Sequence, residues 1–516
     1  MSLTITWIFT IAVGAVFVVL NGLRWLRVAQ REHYIAPWTT RLGWLWMVRI
    51  PFNLVFLVAG IALLVLSFVT ATPTFVASAL VAFSGLPWGL GYRGTSAKLA
   101  WTDRLKRLAV VFGVLVVVFA GGLGLLIGPA SIAIVMLLLA PIMDLALVIL
   151  KPIEKRLTRK YLLSARKRLQ QVAPRIVAIT GSYGKTSTKA YVAHVIGGAF
   201  STVASPASFN NLMGLSRAVN DRVVPGTEVF IAEMGVYGRG EIRELSESFP
   251  PDIAAITTIG EAHLARMGSR DVIFQAKSEI TEKAKTVVLP IDDPLLSGLA
   301  EKCRGEGKRV ITVSTVAGTD ADVVVDAANE IVTVTQNGEQ HSAPVVIPGV
   351  GHAVNLAVTV GIALALDIEF PVVAARLGAL PDSAHRAEIQ LAESGVAIVD
   401  DTYNSNPVGA ARAVQGAAAL AAERGGPLVV VTPGMVELGT VQRARNEEFA
   451  ASVAEAGGYL FAVARTNRAA LLAGASKGIH PARTYDRRTD AVRAALDQAG
   501  DRGVILYEND LPDHYP

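Results

Sequence analysis

Thr180-Gly181-Ser182-Tyr183-Gly184-Lys185-Thr186-Ser187-Thr188 follows the apolar run Ile176-Val177-Ala178-Ile179. A strand that breaks into a glycine-rich turn and resumes as a helix aims several backbone N–H groups at one spot, which is how a phosphate is cradled. Gly181 and Gly184 let the backbone close on phosphate oxygens, with Ser182 and Tyr183 between them. Lys185 supplies a point positive charge for the β- and γ-phosphates, and the Thr186 hydroxyl, followed by Ser187, suits Mg²⁺. The turn is the short form Gly-x-x-Gly-Lys-Thr-Ser/Thr, because Ile179 stands where the longer form has its first glycine. A helix-capping turn with a chance lysine accounts less well for the strand before it and the helical pattern after it.

Around this loop, 516 residues leave room for about two to four domains. Mean hydropathy is +0.44 and only 18% of residues are charged, too apolar for a purely soluble enzyme. The excess is local: residues 1–150 hold long uncharged apolar runs, and 151–516 have ordinary soluble composition. A single cysteine, Cys303, excludes an internal disulfide framework and suits a reducing compartment. The net charge of +5 comes from basic residues clustered beside the apolar runs. That clustering speaks for membrane topology rather than for a nucleic-acid partner.

The apolar half reads as about five spans, near 3–21, 50–70, 74–90, 108–128 and 130–150, each close to what about 30 Å of hydrocarbon requires. The third is short and carries Pro87. A cleaved signal peptide fits poorly, since no basic segment precedes Leu3 and further spans follow. The segments 22–49 (Arg24, Arg27, Arg31, Arg41, Arg49), 91–107 (Arg93, Lys98, Arg104, Lys106, Arg107) and the stretch after 150 are basic; the two other loops carry no positive charge. Five spans with the N-terminus outside put all three basic segments inside. The expectation is a multi-pass protein of the bacterial inner membrane, with the phosphate loop in the cytoplasm, where ATP is. Asp144, inside the fifth span, is either functional or turned to a neighbouring helix or interface. Residues 151–172 form a basic linker, lying at anionic headgroups or simply solvated.

Beyond the linker, strand-like runs recur at Val229–Ala232, Ile253–Ile256, Thr286–Leu289, Val310–Val313, Ala397–Val399, Leu428–Val431, Tyr459–Ala462 and Val504–Leu506, with helical patterns between many of them. This alternation means α/β domains with mostly parallel sheets. The stretch 310–348, with its Asn337-Gly338 turn, reads as a hairpin region. The expected organisation is a transmembrane domain over 1–150, the linker 151–172, an ATP-binding domain over 173–380 and a second α/β domain over 381–516.

Glu233 ends a strand beside the phosphate loop, where a Mg²⁺ ligand belongs, although alone it reads equally as a structural acid. Thr257-Thr-Ile-Gly-Glu-Ala-His263-Leu264 follows another strand, and Gln275-Ala-Lys277-Ser-Glu-Ile280 falls in a helical stretch. Together, Gly181–Ser187, Glu233–Gly235, Ile259–Leu264, Ala276–Ile280, Gly349–Asn355, Asp400–Pro407 and Glu437–Gly439 resemble the Mur ligase family, most closely its MurF branch. Their order and spacing cover about 173–440.

The resemblance implies a Mur-type central ATPase domain and a Rossmann-like C-terminal domain. It also implies an ATP-dependent ligase that joins a carboxylate to an amine through an acyl phosphate. Lys185 and, with it, Thr186 and Glu233 would serve ATP and a first Mg²⁺, and His263 a second. Lys277 matches a lysine that the family carbamylates; an unmodified lysine in a salt bridge is the alternative. Asn355 matches an adenine contact, Arg386 an arginine reaching the phosphates, and Asp401 an acid on the ribose, with Tyr403, Asn404 and Asn406 around it. Asn210 and Asn211 resemble a substrate-facing pair, or are plain turn residues.

The chain departs from that branch at both substrate ends. Membrane spans stand where MurF enzymes hold the UDP-sugar. Thr258 replaces an Asn, Gly351-His352 a His-Asn, Thr432-Pro-Gly-Met435 a Gly-Asp-Met, and Tyr507–Asp513 a basic Lys-Gly-Ser-Arg. The expected substrates are therefore a carboxylate and an amine of altered identity, muramoyl-peptide or lipid-linked, in cell-wall precursor synthesis. Two alternatives stay open: a polyamide synthase of the poly-γ-glutamate type and, more remotely, an ATP-driven transporter.

Overall fold

The structure, a computed structural model, describes residues 2–70, 72–92, 99–207, 209–336, 338–345, 353–381, 388–402, 405–511 and 514–515, side chains of 2–6 and 388 excepted. It divides into two compact units, residues 1–157 with 511–516, and residues 158–510.

The first unit is helical: α1 (Ser2–Arg31), α2 (Trp38–Arg49), α3 (Pro51–Thr70), α4 (Pro73–Ser84), α5 (Asp103–Ile127), α6 (Ala130–Leu137) and the start of α7 (Leu139–Val172). Among the described residues three helices are long and apolar enough to cross a membrane, within α1, α3 and α5. A fourth is reached if α6 and α7, bent by 66° at their junction, count as one. The expectation of about five spans exceeds this count by one. The shortfall is at α4, whose 12 residues reach only about 18 Å.

Past Ser84 the chain goes on as irregular backbone. Trp88 donates its backbone N–H to Asn53 Oδ1 at 2.8 Å, and Asn53 Nδ2 donates to the Trp88 carbonyl at 3.3 Å. The segment 73–88 thus returns to the level at which α3 began. The carbonyls freed by the broken helix are met by polar side chains of α1. Asn21 Nδ2 reaches Ser84 O at 2.9 Å, Arg24 Nη1 reaches Leu86 O at 2.8 Å, and Arg27 Nη2 reaches Gly91 O at 2.8 Å. Backbone carbonyls released where a helix breaks, and shut away from solvent, need such internal partners.

Asp144 resolves in the same way. It accepts from Thr40 N at 2.8 Å and Thr39 N at 3.3 Å, capping the first turn of α2. It is turned to a neighbouring helix. His514 of the C-terminal tail also belongs to this unit, 2.8 Å from Glu32.

The second unit holds two sheets. The larger contains β1 (Arg175–Thr180), β2 (Thr202–Ala204), β3 (Val229–Glu233), β4 (Ile253–Ile256), β5 (Thr286–Pro290), β6 (Arg309–Ser314), β7 (Val323–Asp326), β8 (Ile331–Gln336) and β9 (Glu339–Pro344). Its order is β2-β3-β1-β4-β5-β6-β7-β8-β9. The ladders from β2 through β7 are parallel, and β8 and β9 form the expected antiparallel hairpin. The parallel strands are buried on both faces, so they read as unbroken apolar runs. Val177 and Ile179 pack with Leu356 and Val360 on one side, while Ala178 packs with Phe230 and Leu215 on the other.

The smaller sheet contains β10 (Glu388–Leu391), β11 (Ala397–Asp401), β12 (Leu428–Thr432), β13 (Tyr459–Val463), β14 (Arg483–Tyr485) and β15 (Val504–Glu508). Its order is β10-β11-β15-β12-β13-β14, parallel except at β10. The last strand is therefore inserted between two earlier ones, which places its carboxyl end at a crevice of the kind that α/β sheets use for ligands.

Candidate active site

The turn after β1 carries the site. Gly184 sits at φ +80, and a side chain there would run into Asn355 at the start of the helix Ala353–Ala365. Only glycine meets both demands, a left-handed backbone and a close neighbour. The helix Lys185–Ile196 then starts with its N-terminus at the turn. Lys185 Nζ donates to Gly181 O at 2.8 Å. Ser182 is tied to Gly260, and Tyr183 N to Thr258 Oγ1, so the turn after β4 braces the loop.

Register places Glu233 opposite Ile179. Its Oε2 lies 3.1 Å from Thr186 Oγ1 and 2.8 Å from Lys189 Nζ, and Asn210 Nδ2 approaches Oε1 at 3.4 Å. Burial alone would raise the Glu233 carboxyl; Lys189, with Lys185 and Thr186, outweighs it and holds the group below the usual carboxylate range. A hydroxyl and a carboxylate oxygen converging beside a phosphate loop are the donors a Mg²⁺ ion uses together with substrate phosphates. Among the described residues no group of three or more His, Cys, Asp and Glu could hold a metal. The donor set therefore suits an ion shared with phosphate rather than a protein-enclosed one.

Lys277 is 2% exposed, and its Nζ donates to Gly181 O at 2.9 Å. Burial, reinforced by the Lys185 charge, holds its amine well below the ordinary lysine value. The salt-bridge alternative has no support in the contacts of Lys277, which runs to the phosphate loop's own carbonyl. His263 has a left-handed backbone at φ +59 and points Nδ1 at Glu437 Oε2, 2.6 Å away. That carboxylate can only accept, so Nδ1 carries the proton and Nε2 is turned away from Glu437, the second-shell arrangement of ligating histidines. Arg266 Nη2 also bonds Glu437 at 2.9 Å, and Arg445 clamps Glu261 at 2.7 Å. Burial opposes the charge on Glu437, but His263 and Arg266 outweigh it and hold its carboxyl down at about 2.

Other expected residues fall elsewhere. Asn211 caps the helix Leu212–Arg222, and Asn406 caps the helix Pro407–Arg424. Asp401 ends β11. Arg386, Tyr403, Asn404 and the Gly349–His352 stretch lie outside the described residues. Sequence reading missed Lys189, Arg266 and the pairing of Glu437 with His263. Lys189 stands one helical turn past Lys185, so the i, i+4 spacing would have exposed it; the Glu437 pairing joins residues 174 apart and leaves no local signal.

A phosphate-binding turn on a parallel sheet, followed by a second α/β domain whose Glu437 reaches back to His263, defines a two-domain nucleotide-binding protein. The Mur ligase middle domain family matches residues 179–363, and the Mur ligase glutamate ligase domain family matches residues 385–507. The chain belongs to the Mur ligase family. It is 35% identical over 237 residues to the UDP-N-acetylmuramoyl-tripeptide–D-alanyl-D-alanine ligase of Mycobacterium bovis, which covers 45% of this chain and 46% of that one. It is 29% identical over 351 residues to the Bacillus subtilis protein of the same name, covering 67% and 75%. The chain spans about half the length of the mycobacterial relatives it matches. Its fold is similar to MurF from Acinetobacter baumannii (TM-score 0.58, 21% identity, covering 68% and 77%). It is likewise similar to MurF from Thermotoga maritima in complex with ADP (0.57, 23%, covering 68% and 80%).

Proposed function

We propose that this chain is an ATP-dependent ligase that joins a carboxylate to an amine through an acyl phosphate. The observation that carries the reading is the convergence of Lys185, Thr186, Glu233 and Lys277 on one phosphate loop within a Mur fold. In the reaction, a carboxylate oxygen of the first substrate attacks the γ-phosphorus and ADP leaves. The amine then attacks the acyl carbon, inorganic phosphate leaves, and the amine's extra proton passes to solvent. Two anions must meet in the first step, and Lys185 offsets their charge from the protein side. Thr186 and Glu233 would hold a Mg²⁺, which supplies further charge neutralisation when bound. His263, through Nε2, suits a second. Burial loosens the hold of the Lys277 amine on its proton, and the unprotonated amine is the form that takes up carbon dioxide, which supports its carbamylation. Asp401, Arg386, Asn355, Tyr403 and Asn404 are the proposed nucleotide and substrate contacts.

The substrates are proposed to be muramoyl-peptide-like or lipid-linked precursors of the cell wall, used at the inner face of the bacterial membrane. The apolar helices and the basic segments beside them support that location. Counted with its irregular tail, α4 gives a fifth crossing and keeps the N-terminus outside. The test is phosphate release by detergent-purified protein with ATP and Mg²⁺, screened over UDP-muramoyl-peptides and lipid-linked precursors against amino acids and dipeptides. Mass spectrometry should show a single condensation with loss of one water. A ladder of additions would favour the polyamide synthase, and turnover indifferent to every carboxylate–amine pair would refute ligation.

A further inference from the structure

We propose that Glu508 is a positioning residue of this ligase site, tying Asp401 and Ser405 to the turn Thr432–Met435. It is the last residue of β15, the strand inserted between β11 and β12, and its register partner is Asp401. Val504 and Leu506 face the core that contains the helix Pro407–Arg424. Strand alternation turns Glu508 to that same face, where it is completely buried. One carboxyl oxygen is hydrogen-bonded by Ser405 Oγ, and the other by Thr432 Oγ1 at 3.1 Å. Thr432 Oγ1 in turn accepts from Gly434 N at 2.9 Å. The next residue, Asn509, repeats the bridge, with N to Asp401 O at 3.2 Å and Nδ2 to Gly434 O at 2.7 Å. Three segments distant in sequence thus meet at one side chain. Ser405 directly precedes Asn406, the cap of the helix Pro407–Arg424, so whatever holds Ser405 fixes the entry to that helix.

The clasp works with the acid uncharged. Among the described residues, the charged group facing Glu508 is Asp401 on β11; β12 and the loop before Pro407 offer only the two hydroxyls. Arg488 pairs with Asp510 and stacks on Tyr507, whose side chain points to the opposite face. A buried carboxylate beside another carboxylate is disfavoured. Burial pushes the Glu508 carboxyl up to about 8, and Asp401 adds to the rise. Above that pH, two neighbouring negative charges would loosen the loops that Ser405 and Thr432 anchor.

The inference rests on the ligase reading, but its test does not require turnover. Full-length detergent-purified wild type, Glu508→Gln and Glu508→Ala would be compared from about pH 6 to pH 9.5 by thermal unfolding and by binding of a non-hydrolysable ATP analogue with Mg²⁺. Glu508→Gln keeps the shape and hydrogen bonds but cannot ionise. It should match wild type near neutrality and lack the wild-type loss of nucleotide affinity above about pH 8. Glu508→Ala should bind about tenfold more weakly than wild type near neutrality and show no alkaline fall of its own. The proposal is overturned if Glu508→Gln shows the wild-type alkaline fall, or if Glu508→Ala binds as wild type. Failure of every ligation assay with these binding results intact would remove the ligase reading and leave the clasp standing.

Discussion

Lys189 and Glu233 form a buried pair, 7% and 4% exposed, at the mouth of the phosphate loop. Removing one partner strands the other charge away from water, which costs about 3–5 kcal/mol in such pairs. Lys189→Met is therefore expected to lower the thermal midpoint of the purified protein clearly, whereas Lys185→Ala should leave it nearly unchanged. Phosphate release should behave in reverse: Lys185→Ala should lower it by about a hundredfold or more. Glu437 makes a pH prediction. Its carboxyl is held near 2 against an ordinary 4.5. Such a group adds stability that is present above its unfolded value and lost as pH falls through its folded one. At pH 7, Glu437→Gln should be less stable by about 1–3 kcal/mol, and the gap should close between pH 4.5 and pH 2. Unfolding midpoints of both proteins across that range would decide it; a constant gap would mean that the His263 and Arg266 contacts are not electrostatic. Glu233 was legible as a site candidate because it ends a strand, and His263 because it closes the turn Ile259–Leu264 that follows the next strand. The partners that set their charge were not, since they arrive from elsewhere in the chain.

Among the elements, α4 is the most instructive. Its apolar composition predicts a span, and hydropathy cannot tell a helix that ends after 12 residues from one that continues. What ends it is tertiary: Asn21, Arg24 and Asn53 bond the backbone beyond Ser84, making an irregular path affordable. Arg24→Leu should leave the Gly85 and Leu86 carbonyls without their Arg24 donor and cost about 1–3 kcal/mol. Reduced resistance of the detergent-solubilised protein to heating would reveal it. Topology can be mapped directly, since the native Cys303 is buried. With five crossings, cysteines at Ser2 and Thr72 should react with a membrane-impermeant maleimide in intact cells, and one at His33 should not. Labelling at His33 alone would reverse the orientation. The strands of the soluble half, by contrast, were read close to their observed limits. Parallel strands buried on both faces leave uninterrupted Val, Ile, Leu and Ala runs bounded by turn residues.

At the scale of the molecule, the chain couples a Mur-type pair of domains to a helical unit, and the tail crosses between the two: His514 and Tyr515 belong with the helices. By itself, the amino-acid sequence determined the Mur-type α/β domains, the glycine-rich turn after their first strand and the contrast in composition between residues 1–150 and the rest. These are local properties, expressed through residue spacing, strand periodicity and hydropathy over windows of ten to twenty residues. Only the tertiary structure decided where α4 stops, that Asp144 caps a helix, that Lys189 neutralises Glu233, that Glu437 orients His263, and that Glu508 lies buried beside Asp401. Each of these depends on which charges and carbonyls are brought together out of water. Such encounters are arranged by the packing of distant segments, and no short stretch of sequence encodes them.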